Sequence, residues 1–387
     1  MVAAPDQLST AESDRIYREE MRPFHIGGVE RSTNPTVVFI GGAPGSGKTR
    51  LVPQVAAKLS SGIPVVLSID DLREYHPAWQ QHARNDVHAA ERFNADASRW
   101  LDRLYAEAIS RGKNVVVQTG FRQPQLFQET VAQFRAAGYR AEAVILAVDA
   151  DRIKRAVVGR FLDAQDKGRR PPFVTAARCE EGYTGLRITL RFAEDNHLLD
   201  QLRIVRRDGQ ELYRNTSNNA KWRNPPAAVA ALDRERDRPQ TPTELANNAI
   251  AWHQLSTRAQ LNQKTPAVAI EQALRWRKEA AQRALAGPEA AKHYRSRLAG
   301  ESFRTMPSDQ FLREFPTYAG AVERLTSAAR HASRQYTTAG DRDAFVLQAR
   351  ERLAQYIDDG RQFGRIEARE GTLAPSETRT RDNPRSR

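Results

Sequence analysis

The chain carries, from residue 37 to residue 49, the sequence Val37-Val38-Phe39-Ile40-Gly41-Gly42-Ala43-Pro44-Gly45-Ser46-Gly47-Lys48-Thr49. Its first four residues are apolar and mostly β-branched, which predicts a buried strand. The glycine-rich part follows at once with the spacing Gly-x-x-x-x-Gly-Lys-Thr, and residues 50–59 continue with a helical pattern. A strand, a glycine-rich loop and a helix in this order are the context in which such a motif binds phosphate.

The motif therefore predicts a P-loop, in which backbone N–H groups converge on phosphate oxygens that larger side chains would obstruct. The helix N-terminus adds the positive end of its dipole. Lys48 is expected to reach the β- and γ-phosphates of a nucleoside triphosphate, and the Thr49 hydroxyl to ligate Mg²⁺. The alternative, a turn with a chance Gly-Lys-Thr, does not account for the flanking strand and helix. The residues predicted to surround the nucleotide are Gly42, Ala43, Pro44, Gly45, Ser46, Gly47, Lys48 and Thr49.

Short apolar runs alternate with helical patterns as far as about Arg214, which is typical of an α/β fold. Most of these runs are rich in Val and Ile with little alternation, as expected for parallel strands buried on both faces. Asp208-Gly209 predicts a hairpin after the last run. The predicted fold is a P-loop NTPase-type, mostly parallel sheet flanked by helices. The predicted strands are residues 36–40, 65–69, 114–117, 142–148 and 202–205.

Beyond this region the composition of the sequence and the spacing of its apolar residues change. Residues 217–242 contain Asn-Pro-Pro, Arg-Pro and Thr-Pro among many charges and predict a linker after a first domain of residues 1–216. Residues 243–370 carry apolar residues at three- and four-residue spacing, which predicts a separate all-α domain. Residues 371–387 are rich in Thr, Arg and Pro and are predicted to be disordered.

Composition restricts the class of protein. No apolar run approaches the roughly 18 residues of a membrane span, and the single cysteine, Cys179, excludes an internal disulfide framework. We therefore expect a cytoplasmic protein, with delivery into another cell left open. The net charge of +13 fits either a nucleic-acid partner or a pocket for anionic substrates. Because no nucleic-acid-binding signature accompanies the charge, the sequence favours the second interpretation.

Two adjacent carboxylates, Asp70 and Asp71, follow the predicted strand 65–69. If that strand lies beside the P-loop strand, its carboxyl end faces the ligand crevice. A carboxylate there can accept the proton of an acceptor hydroxyl. The other reading is that an aspartate caps the following helix. We favour Asp70 as the base and Asp71 as the cap.

These features together resemble the zeta toxin family. The resemblance rests on the P-loop, on Asp70-Asp71-Leu72-Arg73 with His76-Pro77 behind it, on Thr119-Gly120-Phe121-Arg122 after a strand, and on Val158-Gly159-Arg160-Phe161 before a basic loop. Zeta toxins are kinases of toxin–antitoxin systems that phosphorylate UDP-N-acetylglucosamine at its 3′-hydroxyl. A related branch among plant-pathogen effectors phosphorylates NAD. The resemblance covers about residues 30–216.

The resemblance implies roles for further residues. Asp70 matches the family's catalytic base, and Arg160 matches an arginine that contacts the transferring phosphate. Either Arg169 or Arg170 matches a second such arginine in a lid. Arg73, Thr119 and Arg122 are implied to contact the acceptor. Gln118 joins these contacts but departs from the family, which often has an acidic residue there, and a neutral amide cannot act as a base.

Three classes of function follow. The leading one is a kinase acting on a nucleotide-like metabolite, with UDP-N-acetylglucosamine first and NAD or another nucleotide second. The others are a nucleotide-dependent switch with little turnover and a nucleic-acid-associated protein. The resemblance also implies a helical antitoxin as partner, either a separate protein or the C-terminal helices of this chain acting in cis.

Overall fold

The computed structural model describes residues 7–28, 30–59, 62–82, 89–168, 173–218 and 221–364. The predicted lid arginines, Arg169 and Arg170, lie outside the described residues. The tail predicted to be disordered, residues 371–387, also lies outside them.

A single sheet of seven strands forms the centre of the first part of the chain, in the order β2-β3-β1-β4-β5-β6-β7. The first five strands in sequence pair in parallel, and β6 and β7 are antiparallel. This confirms the predicted mostly parallel sheet. The strands are β1 Thr36–Gly41, β2 Val65–Ser68, β3 Val115–Thr119, β4 Arg140–Leu146, β5 Gln201–Val205, β6 Glu211–Asn218 and β7 Lys221–Trp222.

One detail of strand order differs from the prediction. The strand β2, which precedes Asp70, does not lie beside the P-loop strand β1; β3 lies between them and pairs with both. Consequently Gln118 of β3 lies between Ile40 of β1 and Ser68 of β2 in the strand register. Sequence order alone does not reveal such a crossover, because a parallel connection can pass over a neighbouring strand position.

Helices connect these strands. One-turn helices cover Ile69–Leu72, Trp79–His82 and Ala89–Arg92, and the N-terminal segment is helical over Thr10–Ile16, Tyr17–Met21 and Arg22–His25. The longer helices of this part are α1 Lys48–Ala56, α2 Asn94–Ser110, α3 Pro124–Ala136, α4 Ala150–Asp166, α5 Ala176–Asp195, α6 Ala228–Arg236, α7 Pro242–Leu261 and α8 Ala267–Leu285.

Both faces of the sheet are buried, which explains why the strand sequences do not alternate. In β1, Val37 and Phe39 pack into one core with residues of α2, α3 and α5. Val38 and Ile40 pack into the other, where α1 contributes Leu51 and Val55. The sheet is thus held rigidly between helical layers, and the loops at its carboxyl edge are positioned by that packing.

The predicted hairpin is confirmed at Asp208-Gly209. Strands β5 and β6 pair antiparallel, with Ile204 opposite Tyr213. Gly209 has a φ of 92°, a left-handed conformation that glycine adopts without the steric cost of a side chain.

The structure differs from the predicted linker over residues 217–242. This segment contains the helix α6, whose Ala228, Val229 and Leu232 are buried in the same core as the sheet. The Glu194 carboxylate accepts hydrogen bonds from the backbone N–H groups of Ala227 and Ala228 at the start of the helix. The Pro-rich and charged composition marks turns on either side of α6, and buried contacts outweigh that local signal.

The chain divides into two compact units, Met1–Arg283 and Ala284–Arg387, and not near residue 216. Helix α7 belongs to the first unit because it packs on α4. Asn248 donates a hydrogen bond to Asp151 at 3.1 Å, and Arg258 pairs with Asp163 at 2.8 Å. Trp252 is fully buried between these helices and α8. The first helices of the predicted all-α domain are therefore part of the sheet-containing unit.

The second unit is helical, as predicted. Its helices are α9 Pro288–Thr305, α10 Ser308–Glu314, α11 Ala319–Gln335 and α12 Ala339–Asp358. Phe303, Phe311 and Leu325 belong to its core. Arg304 of α9 bridges to Asp358 of α12 at 2.6 Å, beside Gly300, where a side chain would collide with α12. In the part of the chain that the structure describes, no helix is long and apolar enough to cross a membrane.

Candidate active site

The glycine-rich loop between β1 and α1 has the backbone shape of a phosphate cradle. Gly45 and Gly47 both have positive φ angles, 79° and 103°, and Gly47 directly precedes the first turn of α1. Such left-handed residues turn successive N–H groups toward one concave point, where an anion binds. The Ser46 hydroxyl oxygen is buried with no hydrogen-bond partner in the described part of the chain. An unsatisfied hydroxyl inside a ring of N–H donors fits the phosphates of a nucleotide.

Two helices press against this loop. A side-chain carbon on Gly45 would lie 3.0 Å from the backbone oxygen of Ile153 in α4. A side-chain carbon on Gly182 of α5 would lie 2.8 Å from Pro44. Glycine at positions 45 and 182 thus allows α4 and α5 to hold the loop from two sides.

Lys48 lies inside the loop. Its ammonium donates hydrogen bonds to the backbone oxygens of Gly42 at 2.8 Å and Ala43 at 3.3 Å. Burial lowers the pKa of Lys48 to about 8, and Arg160 and Arg122 act in the same direction while Asp70 opposes them. These effects place Lys48, Asp70, Arg160 and Arg122 at one site, although they come from four separate segments of the chain.

Thr49 and Gln118 offer two neutral oxygens at the same place. The Thr49 hydroxyl donates a hydrogen bond of 3.0 Å to the amide oxygen of Gln118. Hydroxyl and amide oxygens are among the ligands that Mg²⁺ accepts, together with oxygens of phosphate and water. Among the described residues no group of three or more acidic, histidine or cysteine side chains could hold a metal by itself. The oxygens of Thr49 and Gln118 would fit an Mg²⁺ that arrives with a nucleotide.

Asp70 lies in the one-turn helix Ile69–Leu72 that follows β2. Its carboxylate accepts a hydrogen bond from Arg73, and its side chain is 68% exposed. Desolvation raises the pKa of Asp70, but Arg73, Lys48 and Arg160 outweigh it and lower the pKa. Asp70 is therefore ionised at neutral pH and able to accept a proton.

The predicted capping role of Asp71 is wrong. Ser68 occupies the N-cap position and no side chain among the described residues caps the helix, while Asp71 lies within its first turn. Desolvation, Asp70 and Glu74 raise the pKa of Asp71. The pKa values of the two neighbouring carboxylates are thus shifted in opposite directions.

Arg73 has a different environment from the one expected of a substrate contact. It is buried, and it donates to Asp70 and also to Asn94 of α2, from Nε at 3.0 Å and from Nη2 at 2.7 Å. A guanidinium fixed by the amide of Asn94 orients the Asp70 carboxylate. Sequence reasoning missed Asn94, because a single asparagine at the start of α2 gave no chemical signal.

Arg160 projects from α4 and is exposed. It forms no hydrogen bond or ion pair with the residues that the structure describes, yet it lies close enough to Lys48 and Asp70 to shift the pKa of each. An unpaired guanidinium facing a phosphate cradle is free to bind the oxygens of a phosphoryl group.

The loop after β3 supplies the remaining predicted contacts. The Thr119 hydroxyl accepts a hydrogen bond of 3.1 Å from the N–H of Phe121, which has a positive φ of 53°. Arg122 follows and is 3.9 Å from Glu181 of α5. Desolvation, then Arg178, lowers the pKa of Arg122. Arg178 was not predicted as a site residue; it adds a second guanidinium beside Arg122.

Comparison with known proteins agrees with this description. The family model described as "Zeta toxin" matches residues 25–218. The zeta toxins of Enterococcus hirae and Streptococcus pyogenes are each 21% identical over 195 residues, which is 49% of this chain and 66% of theirs. The mevalonate-3-phosphate 5-kinase of Thermoplasma acidophilum is 29% identical over 117 residues, 25% of this chain and 57% of that enzyme.

Among solved structures, a chain of the PezAT chromosomal toxin–antitoxin system of Streptococcus pneumoniae is similar, with a TM-score of 0.53 and 17% identity. The similarity covers 64% of the present chain and 98% of that one. At this identity the likeness supports the fold alone.

Proposed function

Because the chain belongs to the zeta toxin family, we propose that it is an ATP-dependent kinase that transfers the γ-phosphate to a sugar hydroxyl of UDP-N-acetylglucosamine and acts as a bacterial toxin. The chain spans 66% of the length of the zeta toxins it matches. The proposed activity therefore rests on the residues of the site and not on the extent of the match with these relatives.

One observation carries the proposal: a buried ammonium, an ionised carboxylate and an unpaired guanidinium meet beside a phosphate cradle. Lys48 and Arg160 are placed to neutralise charge on the transferring phosphoryl group. Asp70 is placed to accept the proton of the attacking hydroxyl. Mg²⁺ held by Thr49 and Gln118 would draw charge from the phosphate oxygens. A protein that only switches on nucleotide binding requires no such base.

The acceptor side carries two arginines, Arg122 and Arg178, whose shared partner is Glu181, at 3.9 Å and 2.9 Å, and we propose that they bind a diphosphate-bearing molecule. Arg178 lies close enough to Arg122 to lower the pKa of Arg122. Gln118 and Thr119 are the last two residues of β3, the strand that leads to the loop of Arg122. UDP-N-acetylglucosamine and NAD both carry a diphosphate between two sugars, so this chemistry admits either one. We place UDP-N-acetylglucosamine first because of the family.

The partner that we propose is a separate helical antitoxin. Helix α7 contacts α4 through Asp151, Asp163 and the surroundings of Gly159, and we therefore do not assign it to that role. The P-loop contacts a different face of α4, at Ile153 and Ala156. If residues 284–387 inhibit the kinase in cis, their removal would raise the transfer rate.

The decisive experiment incubates the full chain with ATP and Mg²⁺ and a panel of UDP-N-acetylglucosamine, NAD, other nucleotides and nucleosides. We expect a phosphorylated product with UDP-N-acetylglucosamine and none with Lys48→Ala. A product formed only with NAD would mean that NAD, and not UDP-N-acetylglucosamine, is the acceptor. Tight ATP binding without product from any acceptor would support the switch instead.

Nucleotide affinity is expected to decline above about pH 8. Burial lowers the pKa of Lys48 to about 8 in the free protein, and bound phosphates would raise it again. The contribution of the ammonium to binding is thus fully present below pH 8 and is lost as pH rises above it, by at most about tenfold per pH unit. Titrations of ADP from pH 6.5 to 9.5 measure this decline. Lys48→Ala should bind more weakly but with no such slope, and an equal slope in both proteins would contradict the assignment.

A further inference from the structure

Two adjacent arginines after β5 have different surroundings. Arg206 pairs with Glu235 at 2.7 Å and donates to Gln210 at 2.6 Å. Arg207 packs against the P-loop instead, and a side-chain carbon on Gly47 would lie 3.1 Å from its Nε. That Nε is buried and has no hydrogen-bond partner among the described residues.

The charged groups around Arg207 do not offset the desolvation of its guanidinium. Desolvation lowers the pKa of Arg207, and the neighbouring Arg152 and Arg50 lower it further. A desolvated guanidinium near like charges destabilises the folded protein unless an anion joins it.

Arg155, on α4, lies close to Arg207, and its guanidinium also lacks a compensating partner among the described residues. Its Nε is buried without a partner, and desolvation is the largest cause that lowers its pKa. The carboxylates nearest to it are engaged elsewhere. Asp149 caps the N-terminus of α4 by accepting from the N–H of Arg152, and Asp151 accepts from Asn248 and from Arg283 at 2.7 Å.

This cluster is distinct from the group around Arg160. The groups that shift the pKa of Lys48 are Asp70, Arg160 and Arg122, whereas those around Arg207 are Arg152 and Arg50. Lys48 belongs at the β- and γ-phosphates in a P-loop, and the loop backbone also holds the α-phosphate. The second cluster adjoins Gly47 and the first turn of α1, which is the remaining part of the cradle.

We infer that Arg207, assisted by Arg155, binds the α-phosphate of the nucleotide, opposite the end where transfer takes place. The inference rests on the proposed use of ATP. It assigns a positioning function to the turn after β5: Arg207 holds the nucleotide in place and takes no part in the transfer itself. It also accounts for the buried Nε atoms of Arg155 and Arg207, two half-buried arginines that form no hydrogen bond or ion pair with the described residues.

The test measures equilibrium binding of ADP, ATP and inorganic tripolyphosphate to the full chain, to Arg207→Ala and to Arg206→Ala. A charge-assisted hydrogen bond contributes about tenfold to a hundredfold in affinity. We expect Arg207→Ala to weaken all three ligands by at least about tenfold, and Arg206→Ala to change them by less than about threefold. The melting temperature of ligand-free Arg207→Ala should equal or exceed that of the wild type, because an unpaired charge is removed.

Three results would overturn the inference. Equal weakening in both variants would indicate a general loss of positive charge. Weakening of ADP and ATP but not of tripolyphosphate would place Arg207 at the nucleoside. Unchanged affinity in Arg207→Ala, or a lowered melting temperature without ligand, would leave only a structural role. No acceptor is needed, so a failure of the proposed transfer reaction leaves this measurement interpretable.

Discussion

Asp70→Asn is expected to reduce phosphate transfer by about a hundredfold to ten-thousandfold while ATP binds with unchanged or slightly higher affinity. The asparagine keeps the shape of the side chain and can still accept the hydrogen bond of Arg73. It cannot take a proton from an acceptor hydroxyl. It also removes a negative charge beside Lys48 and Arg160, which favours an anionic nucleotide.

The matched control for this substitution is Asp71→Asn, because the two carboxylates are adjacent and only Asp70 is held by Arg73. Transfer rates at saturating ATP, together with ATP dissociation constants, distinguish the roles. Parallel loss of transfer and ATP binding in Asp70→Asn would mean that Asp70 holds a metal or the fold. Similar defects in both variants would remove the reason to single out Asp70.

The same residue predicts a pH dependence. Arg73, Lys48 and Arg160 lower the pKa of Asp70 against the effect of desolvation. The ionised base is therefore present at neutral pH and is lost only as pH falls below the ordinary value for aspartate, about 4. A transfer rate that already falls between pH 7 and pH 5 would point to a different base.

Arg160→Ala is expected to reduce the transfer rate by about a thousandfold or more, with ADP affinity nearly unchanged. The guanidinium has no partner in the described protein and lies near Lys48 and Asp70, so its charge is available to the γ-phosphate. ADP lacks that phosphate. The loss should therefore appear in kcat rather than in the binding of the diphosphate.

Lys154→Ala is the control on the same helix, because the Lys154 ammonium lies 5.5 Å from the ring centroid of Trp276 in α8. It should retain nearly full transfer. Arg160→Lys should recover only part of the rate, since an ammonium cannot donate two parallel hydrogen bonds. A defect in ADP binding equal to the loss of transfer would place Arg160 elsewhere than at the γ-phosphate.

The fold could be predicted from sequence where the signals are local. The P-loop, the five apolar runs and the Asp208-Gly209 turn each depend on residues adjacent in the chain, and all correspond to elements of the structure. The helices from α7 to α12 were also predicted, because three- and four-residue spacing survives in amphipathic helices. The predicted linker failed at α6, since prolines and charges flank a helix whose buried side is narrow.

The site could be predicted only in part, because its charges interact across the fold. The motif identifies Lys48 and Thr49, and the family resemblance suggests Asp70 and Arg160. The support of Asp70 by Arg73 and Asn94 depends on how α2 packs beside β2, which no spacing encodes. Likewise Arg206 and Arg207 look alike in sequence, and only the structure shows that Arg206 pairs with Glu235 whereas Arg207 forms no ion pair with a described residue.

The helix α4 is held on two faces, by the P-loop at Gly45 and by α7 at Asp151 and Asp163. The segment that the family model matches, residues 25–218, is shorter than the first compact unit, which extends to Arg283. A fragment that ends at residue 218 would lack α7, which packs on one face of α4. The part of the chain that shows family membership thus ends before the part that completes the packing around α4.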